Sequence, residues 1–185
     1  MKVISGILKG RNIKGYNIDG TRPTMDRVKE SLFASINSYV KDSVVLDLFA
    51  GSGSLGIEAI SNGSDYCYFI DNNRECIKVI NDNIREFGIS DKCNVMNKDY
   101  RQALSYFRDN NIKFDLILVD PPYKYMVINE IMELIDKYKL LNNNGIIVLE
   151  YSLDKFEDNY INYELLKYKK YGDKYISIYK FKKNN

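Results

Sequence analysis

One stretch limits what this chain can become: Val44-Val-Leu-Asp-Leu-Phe-Ala-Gly-Ser-Gly-Ser-Leu-Gly56. Apolar, β-favouring residues run into glycines at 51, 53 and 56, and a helix-like segment, 54–60, follows. That order reads as a buried parallel strand, a tight turn and a helix N-terminus. The spacing is G-x-G-x-x-G, which suits either a nucleotide-type cofactor or a merely structural turn. Two acids favour the cofactor. Asp71 ends the next apolar run, 20 residues after Gly51, where a carboxylate can accept ribose hydroxyls. Asp47 stands inside an otherwise apolar strand, where a carboxylate is costly without a hydrogen-bond partner or a cationic ligand group.

From that strand onward the pattern alternates. Strands are expected over 44–50, 66–71, 93–98, 114–119 and 145–151, and helices over 54–62, 73–87, 100–110 and 127–138. Such alternation predicts a parallel sheet with helices on both faces. Tyr163–Tyr171 and Tyr175–Phe181 break it: both are strand-like, with Gly172-Asp173 between them, and predict a closing antiparallel hairpin. Before the glycine stretch, Lys2–Leu8 and Arg11–Asn17 read as a small basic β-hairpin turning at Lys9-Gly10. A helix follows, with Thr24 as its expected N-cap and Val28, Leu32, Phe33, Ile36 and Val40 on its apolar face. The whole chain, 1–185, reads as a single α/β domain, with 1–20 as the hairpin extension and 21–185 as the body.

Composition removes several chemistries. The chain has no histidine, which excludes imidazole acid–base catalysis, histidine triads and histidine-containing zinc sites. Its three cysteines form no C-x-x-C pair, so they are expected to be reduced thiols, without a metal, in a cytoplasmic protein. No signal-peptide pattern or membrane-length apolar run is visible. Charge is uneven: residues 1–18 carry +4 and 167–185 carry +6, against −8 in the remainder, for a net +2. Basic ends on an acidic body suggest a polyanionic partner, with Lys9, Arg11, Arg22 and Arg27 as candidate phosphate contacts.

A second motif follows the fourth strand: Asp120-Pro-Pro-Tyr123. Ligands of open α/β sheets bind beyond the carboxyl ends of the strands, and strand four is expected beside strand one, next to the glycine loop. The prolines stiffen the turn and leave carbonyls free to accept. Asp120 adds a carboxylate, Pro121 a carbonyl and Tyr123 a flat ring behind Pro122. Together these suit a planar base carrying an exocyclic amine.

These stretches, D-L-F-A-G-S-G-S-L-G (47–56), D-P-P-Y (120–123) and the terminal hairpin, resemble class I S-adenosylmethionine-dependent methyltransferases of Rossmann-like fold. The elements Thr21-Arg-Pro-Thr-x-Asp-Arg-Val-Lys-Glu-x-Leu-Phe33 and Lys170-Tyr-Gly-Asp-Lys-Tyr-Ile-Ser-Ile-Tyr179 narrow the likeness to the RsmD family. That family methylates guanine N2 in bacterial 16S ribosomal RNA; its opening R-x-x-x-G motif is present only in part. The resemblance implies S-adenosylmethionine held by Asp47, Phe49, Gly51, Ser52, Gly53, Asp71, Asn72, Asp99 and Tyr100. It implies Asp120, Pro121, Pro122 and Tyr123 as the catalytic turn. Ribosomal RNA, free or within a small-subunit particle, would be the partner of a monomer. A DNA adenine-N6 methyltransferase, a nicotinamide-dependent oxidoreductase and a non-catalytic RNA-binding protein are the rival readings. The oxidoreductase leaves D-P-P-Y unexplained, and the DNA enzyme would normally need a target-recognition insertion.

Overall fold

The computed structural model describes residues 1–15, 22–121, 126–152 and 160–182. The elements, in chain order, are α1 (Arg22–Val40), β1 (Val44–Asp47), α2 (Ser54–Ser61), β2 (Tyr66–Asp71), α3 (Arg74–Phe87), β3 (Cys93–Asn97) and α4 (Tyr100–Asp109). There follow β4 (Phe114–Val119), α5 (Met126–Tyr138), β5 (Leu141–Tyr151), β6 (Tyr163–Tyr171) and β7 (Lys174–Phe181). The seven strands form one sheet in the order β3-β2-β1-β4-β5-β7-β6. β1 to β5 run parallel, while β7 lies antiparallel to both β5 and β6. The alternating parallel body and the closing hairpin are therefore both present.

Side chains alternate across the sheet with a period of two. Val45, Cys67, Phe69, Leu116, Leu118, Ile146 and Val148 face a core shared with α1, α2 and α3. Leu46, Ile70, Ile117, Val119, Ile147 and Leu149 face the other core, under α4 and α5. Strands apolar on both faces are what a central parallel sheet requires. β1 stops at Asp47 rather than at residue 50, because its last residues turn into the glycine loop. β5 begins earlier than expected, at Leu141, through a register shift opposite Phe114 and Leu116. There Asp115 accepts from the Val44 amide and from Asn142.

The N-terminal stretch departs most from expectation. Its two predicted strands contract to a single antiparallel bridge, Lys2 with Asn12, and residues 16–17 lie outside the described part. The cause is Glu58, fully buried on α2, whose carboxylate accepts from the amides of Ile4 and Ser5 at 2.8–3.1 Å. These bonds pull the chain out of a strand and down onto α2. Val3, Leu8 and Ile13 are buried in the α1–α3 core, so the segment is part of the body's packing. The α1 helix also starts sooner than Thr24 as N-cap implies, at Arg22. Among the described residues no helix is long and apolar enough to cross a membrane.

Glu58 is neutralised by Lys29, which is 4% exposed, at 3.1 Å. Lys29 also donates to the Lys2 carbonyl at 2.6 Å and to Ser54 Oγ at 3.1 Å, so one ammonium joins α1, α2 and the N-terminal segment. Removing one partner of a buried pair leaves an uncompensated charge, which costs about 3–5 kcal/mol. Lys29→Met should lower the unfolding free energy by about that amount, and the double variant Lys29→Met/Glu58→Gln should recover a large part of it. Urea unfolding of the three proteins checks this; equal midpoints for the wild type and Lys29→Met would contradict it.

Candidate active site

The carboxyl ends of β1, β4 and β5 open beneath a cavity of about 680 Å³. Val28 and Leu32 of α1 form an apolar wall, and the β6–β7 turn, through Gly172, Asp173 and Lys174, closes another side. Asp47, Phe49, Gly51, Ser52 and Asp120 all line it, so the glycine loop and the start of D-P-P-Y meet as the spacing predicted.

The glycine loop is clamped by side chains from three elements. Asp47 of β1, 2% exposed, accepts from the Gly56 amide at 3.0 Å. Asp71 of β2 accepts from the Gly51 amide at 2.9 Å and from the Asn73 amide at 2.8 Å. Asn83 of α3, fully buried, donates to the Ser52 carbonyl at 3.0 Å and to the Lys14 carbonyl at 2.8 Å, tying the N-terminal segment to the loop. The glycines have different jobs. Gly51 has φ +56°, and a Cβ placed there would meet nothing within 4 Å, so its bare backbone faces open space. Gly53, at φ +80°, points instead at Ile57, Ile80 and Phe69 in the interior. A side chain there would therefore enter the packed interior and strain a positive φ.

Asp71 at the end of β2 with Asn72, and Asp99 with Tyr100 after β3, lie on the far side of β1 from Asp120. Asp99 caps α4, accepting from the Gln102 amide at 3.0 Å. Tyr100 donates to Glu130 at 2.8 Å, and its ring lies 5.8 Å from that of Phe49. Burial and then the Glu130 bond raise its pKa to about 12.

Sequence reasoning missed the charged cluster around Asp120. Lys174, at the start of β7, is ion-paired with Glu150 of β5, and both line the cavity. Asp120 is partly open to the cavity but otherwise enclosed by protein. Burial, followed by the nearby Glu150 charge, pushes its pKa up to about 7 against the pull of Lys174. Burial works to lower the Lys174 pKa, but Glu150 and Asp120 outweigh it and the ammonium is held. The signal in the sequence was the lysine directly after the Gly172-Asp173 turn. Lys29 was legible too, because it lies on the α1 stripe of Leu32, Phe33, Ile36 and Val40.

Pro121 follows Asp120 at the cavity edge, whereas Pro122 and Tyr123 lie outside the described residues. The Arg22 side chain does so as well. Lys9 and Arg27 are exposed. Arg11 is otherwise engaged: its guanidinium donates to the Glu86 and Phe87 carbonyls at 2.6 and 3.3 Å and lies 4.4 Å from the centre of the Phe87 ring. It thereby caps the last turn of α3, where unpaired carbonyls attract a cation. Among the described residues no group of histidine, cysteine and acids could hold a metal ion.

A parallel body with β7 inserted antiparallel between β5 and β6, and a clamped glycine loop beside an acid after β4, define a Rossmann-like fold of the methyltransferase type. The chain belongs to the family described as Conserved hypothetical protein 95, whose model matches residues 1–180. YlbH of Bacillus subtilis, assigned as an rRNA methyltransferase, is 36% identical over 181 residues, covering 97% of this chain and 98% of that protein. Ribosomal RNA small subunit methyltransferase D of Haemophilus influenzae is 32% identical over 175 residues, covering 93% of this chain and 89% of its own. The solved structure of yhhF from Escherichia coli, assigned as a methyltransferase, superposes with a TM-score of 0.86 at 26% identity over 98% of both chains.

Asp47 gives a testable pH dependence. Burial raises its pKa from 3.8 to about 7, opposed by the Gly56 amide and reinforced by Asp71. The folded chain thus keeps this proton up to about pH 7, while the unfolded chain releases it near pH 4. Stability from this group is present at low pH and is lost as pH rises through that window. Asp47→Asn retains an acceptor for the Gly56 amide and has no charge to bury. Its stability relative to the wild type should be near level at pH 4 and should rise by at least ~1 kcal/mol by pH 7.5. Urea midpoints at both pH values, without added ligand, measure the difference; a constant offset would contradict it.

Proposed function

We propose that the protein is an S-adenosylmethionine-dependent methyltransferase acting on the exocyclic N2 amine of a guanine in small-subunit ribosomal RNA. Membership of a family with rRNA methyltransferases among its relatives supports the reaction class. The observation that carries the site is the meeting of the bare Gly51 backbone, buried Asp47 and Asp120 around one cavity. An acidic, partly apolar cavity suits a cationic cofactor. Asp47, which burial biases towards the neutral acid, would be held ionised by a ligand ammonium, and the open space above Gly51 leaves room for backbone approach. Each Asp71 oxygen accepts one amide and retains capacity to accept from a ribose hydroxyl. Phe49, Ser52, Asn72, Asp99 and Tyr100 complete the proposed cofactor side, with Gly53 shaping the loop from behind.

When bound, the cofactor supplies an electrophilic methyl group on a positively charged sulfur. The remaining task is positioning. The guanine amine is a poor nucleophile because its lone pair is delocalised into the purine. By accepting its N–H groups, Asp120 and the Pro121 carbonyl hold the lone pair towards the methyl. Taking up that methyl group would leave the amine nitrogen with one proton to lose. Asp120, with its pKa near 7, is suited to receive it. In this reading Tyr123 stacks on the target base, and Lys9, Arg22 and Arg27 contact RNA phosphate. In this reading the enzyme works in the cytoplasm as a monomer, on ribosomal RNA that is free or within a small-subunit particle. The deciding experiment is mass mapping of modified nucleosides in ribosomal RNA from cells with and without the gene. Loss of a methylguanosine supports the reading, and an unchanged map removes it.

Two variants test the roles separately. Asp120→Ala should leave cofactor affinity near wild type and lower kcat by about 10²–10³-fold, as removal of one preorganised polar contact does; single-turnover methylation at a near-normal rate would sink the mechanism. Gly51→Val puts a branched side chain into the open space above the loop and strains a positive φ. The strain lowers stability without preventing folding, while calorimetric affinity for S-adenosylmethionine should fall by about tenfold or more, the ~1.4 kcal/mol equivalent of a lost backbone approach.

A further inference from the structure

The Lys174–Glu150 pair beside Asp120 is not used by the reaction as described above. Both residues line the cavity, and both interact electrostatically with Asp120. A lysine is an odd choice for a cavity meant to take a cationic cofactor. Its charge is held by Glu150, so the pair is close to neutral towards a ligand. What Lys174 adds is directional donors. An ammonium has three N–H groups, one of which is used by Glu150. The side chain remains 39% exposed, so further donors can meet a ligand in the cavity.

A carboxylate acceptor and an ammonium donor facing one cavity form the complement of a particular base edge. The Watson–Crick edge of guanine shows two neighbouring donors, N2–H and N1–H, followed by an acceptor, O6. Adenine shows a donor amine and an unprotonated N1; cytosine shows a donor amine, an acceptor N3 and an acceptor O2. Asp120 matches the adjoining donors of guanine alone, and Lys174 matches its O6. The site therefore discriminates by hydrogen bonds that an incorrect base leaves unmade, the costlier form of mismatch.

We infer that Lys174, held by Glu150, reads O6 of the target guanine while Asp120 takes its N1–H and N2–H, making Lys174 a specificity-determining residue. This rests on the guanine-N2 reading above. Glu150 is a positioning residue in it: its carboxylate holds the ammonium at the cavity. Lys174→Arg keeps donors at this place, whereas Lys174→Met removes them.

The test is a cycle with the target guanosine replaced by 2-aminopurine riboside, which keeps the N2 amine but lacks O6 and N1–H. Small-subunit RNA carrying either base at the mapped position is methylated by the wild type, Lys174→Met, Lys174→Arg and the double variant Lys174→Met/Glu150→Gln. The double variant removes the orphaned carboxylate that Lys174→Met leaves. The wild type should prefer guanine in kcat/KM. In Lys174→Met and in the double variant, that preference should shrink by roughly tenfold or more, the size of one charge-assisted hydrogen bond, with 2-aminopurine little affected. Lys174→Arg should retain most of the preference. Equal loss on both bases in Lys174→Met and in the double variant would overturn the inference and leave Lys174 as a support for Asp120 alone. Absence of N2-methylguanine from the wild-type product would instead refute the function reading, and the inference with it.

Discussion

The site depends on a backbone loop that cannot hold itself. Past β1 the Leu48 amide still reaches the Leu118 carbonyl and the Ala50 amide the Ile70 carbonyl, and Gly51 and Gly53 then sit in the left-handed region. Their shape comes from outside, through Asp47 on the Gly56 amide, Asp71 on the Gly51 amide and Asn83 on the Ser52 carbonyl. Each clamp comes from a different element, so β1, β2 and α3 must all be in place before the loop has one conformation. Two of the clamps are acids that also occupy positions suited to cofactor recognition. Buried carboxylates that accept amides are stabilised in part, and Asp47 retains a raised pKa despite its amide, which marks how dry its position is.

The N-terminal segment belongs to the same system. Glu58 takes two of its amides, Lys29 takes the Lys2 carbonyl, and Asn83 both donates to and accepts from the Lys14 backbone. Lys29 and Ser54 of this network also line the cavity. Changes in the first fifteen residues therefore reach the site through polar contacts with fixed directions rather than through apolar packing alone. A buried ion pair is weak evidence for net stability, but here it specifies how three segments meet. Arg11 extends the pattern, since its charge is directed to the end of α3 rather than outward.

At the other end of the cavity, the terminal hairpin does more than close the sheet. Inserting β7 between β5 and β6 brings residue 174 alongside the end of β5. A lysine far from the D-P-P-Y turn in sequence thereby becomes its electrostatic neighbour. The acidity of Asp120 is a balance of burial and Glu150 against Lys174, so the turn's chemistry is set by the hairpin as much as by its own residues.

The sequence alone determined the strand–helix alternation, the two-faced apolar strands and the proximity of the glycine loop to Asp120. Those features follow from local periodicity and from the rule placing ligands at the carboxyl ends of adjacent parallel strands. It did not show that a side chain on Gly53 would point at Phe69 while one on Gly51 would point into open space, because an x-G-x spacing does not encode direction. It overstated the opening hairpin, because the competing acceptor for the amides of Ile4 and Ser5 lies more than fifty residues away, on α2. It counted Lys174 only as charge and read Arg11 as a phosphate contact, where the structure directs the guanidinium to the end of α3. What tertiary structure decided was the partner of each charge, because an ion pair or a buried hydrogen bond depends on which distant segments come within about 3 Å, a distance no local pattern encodes.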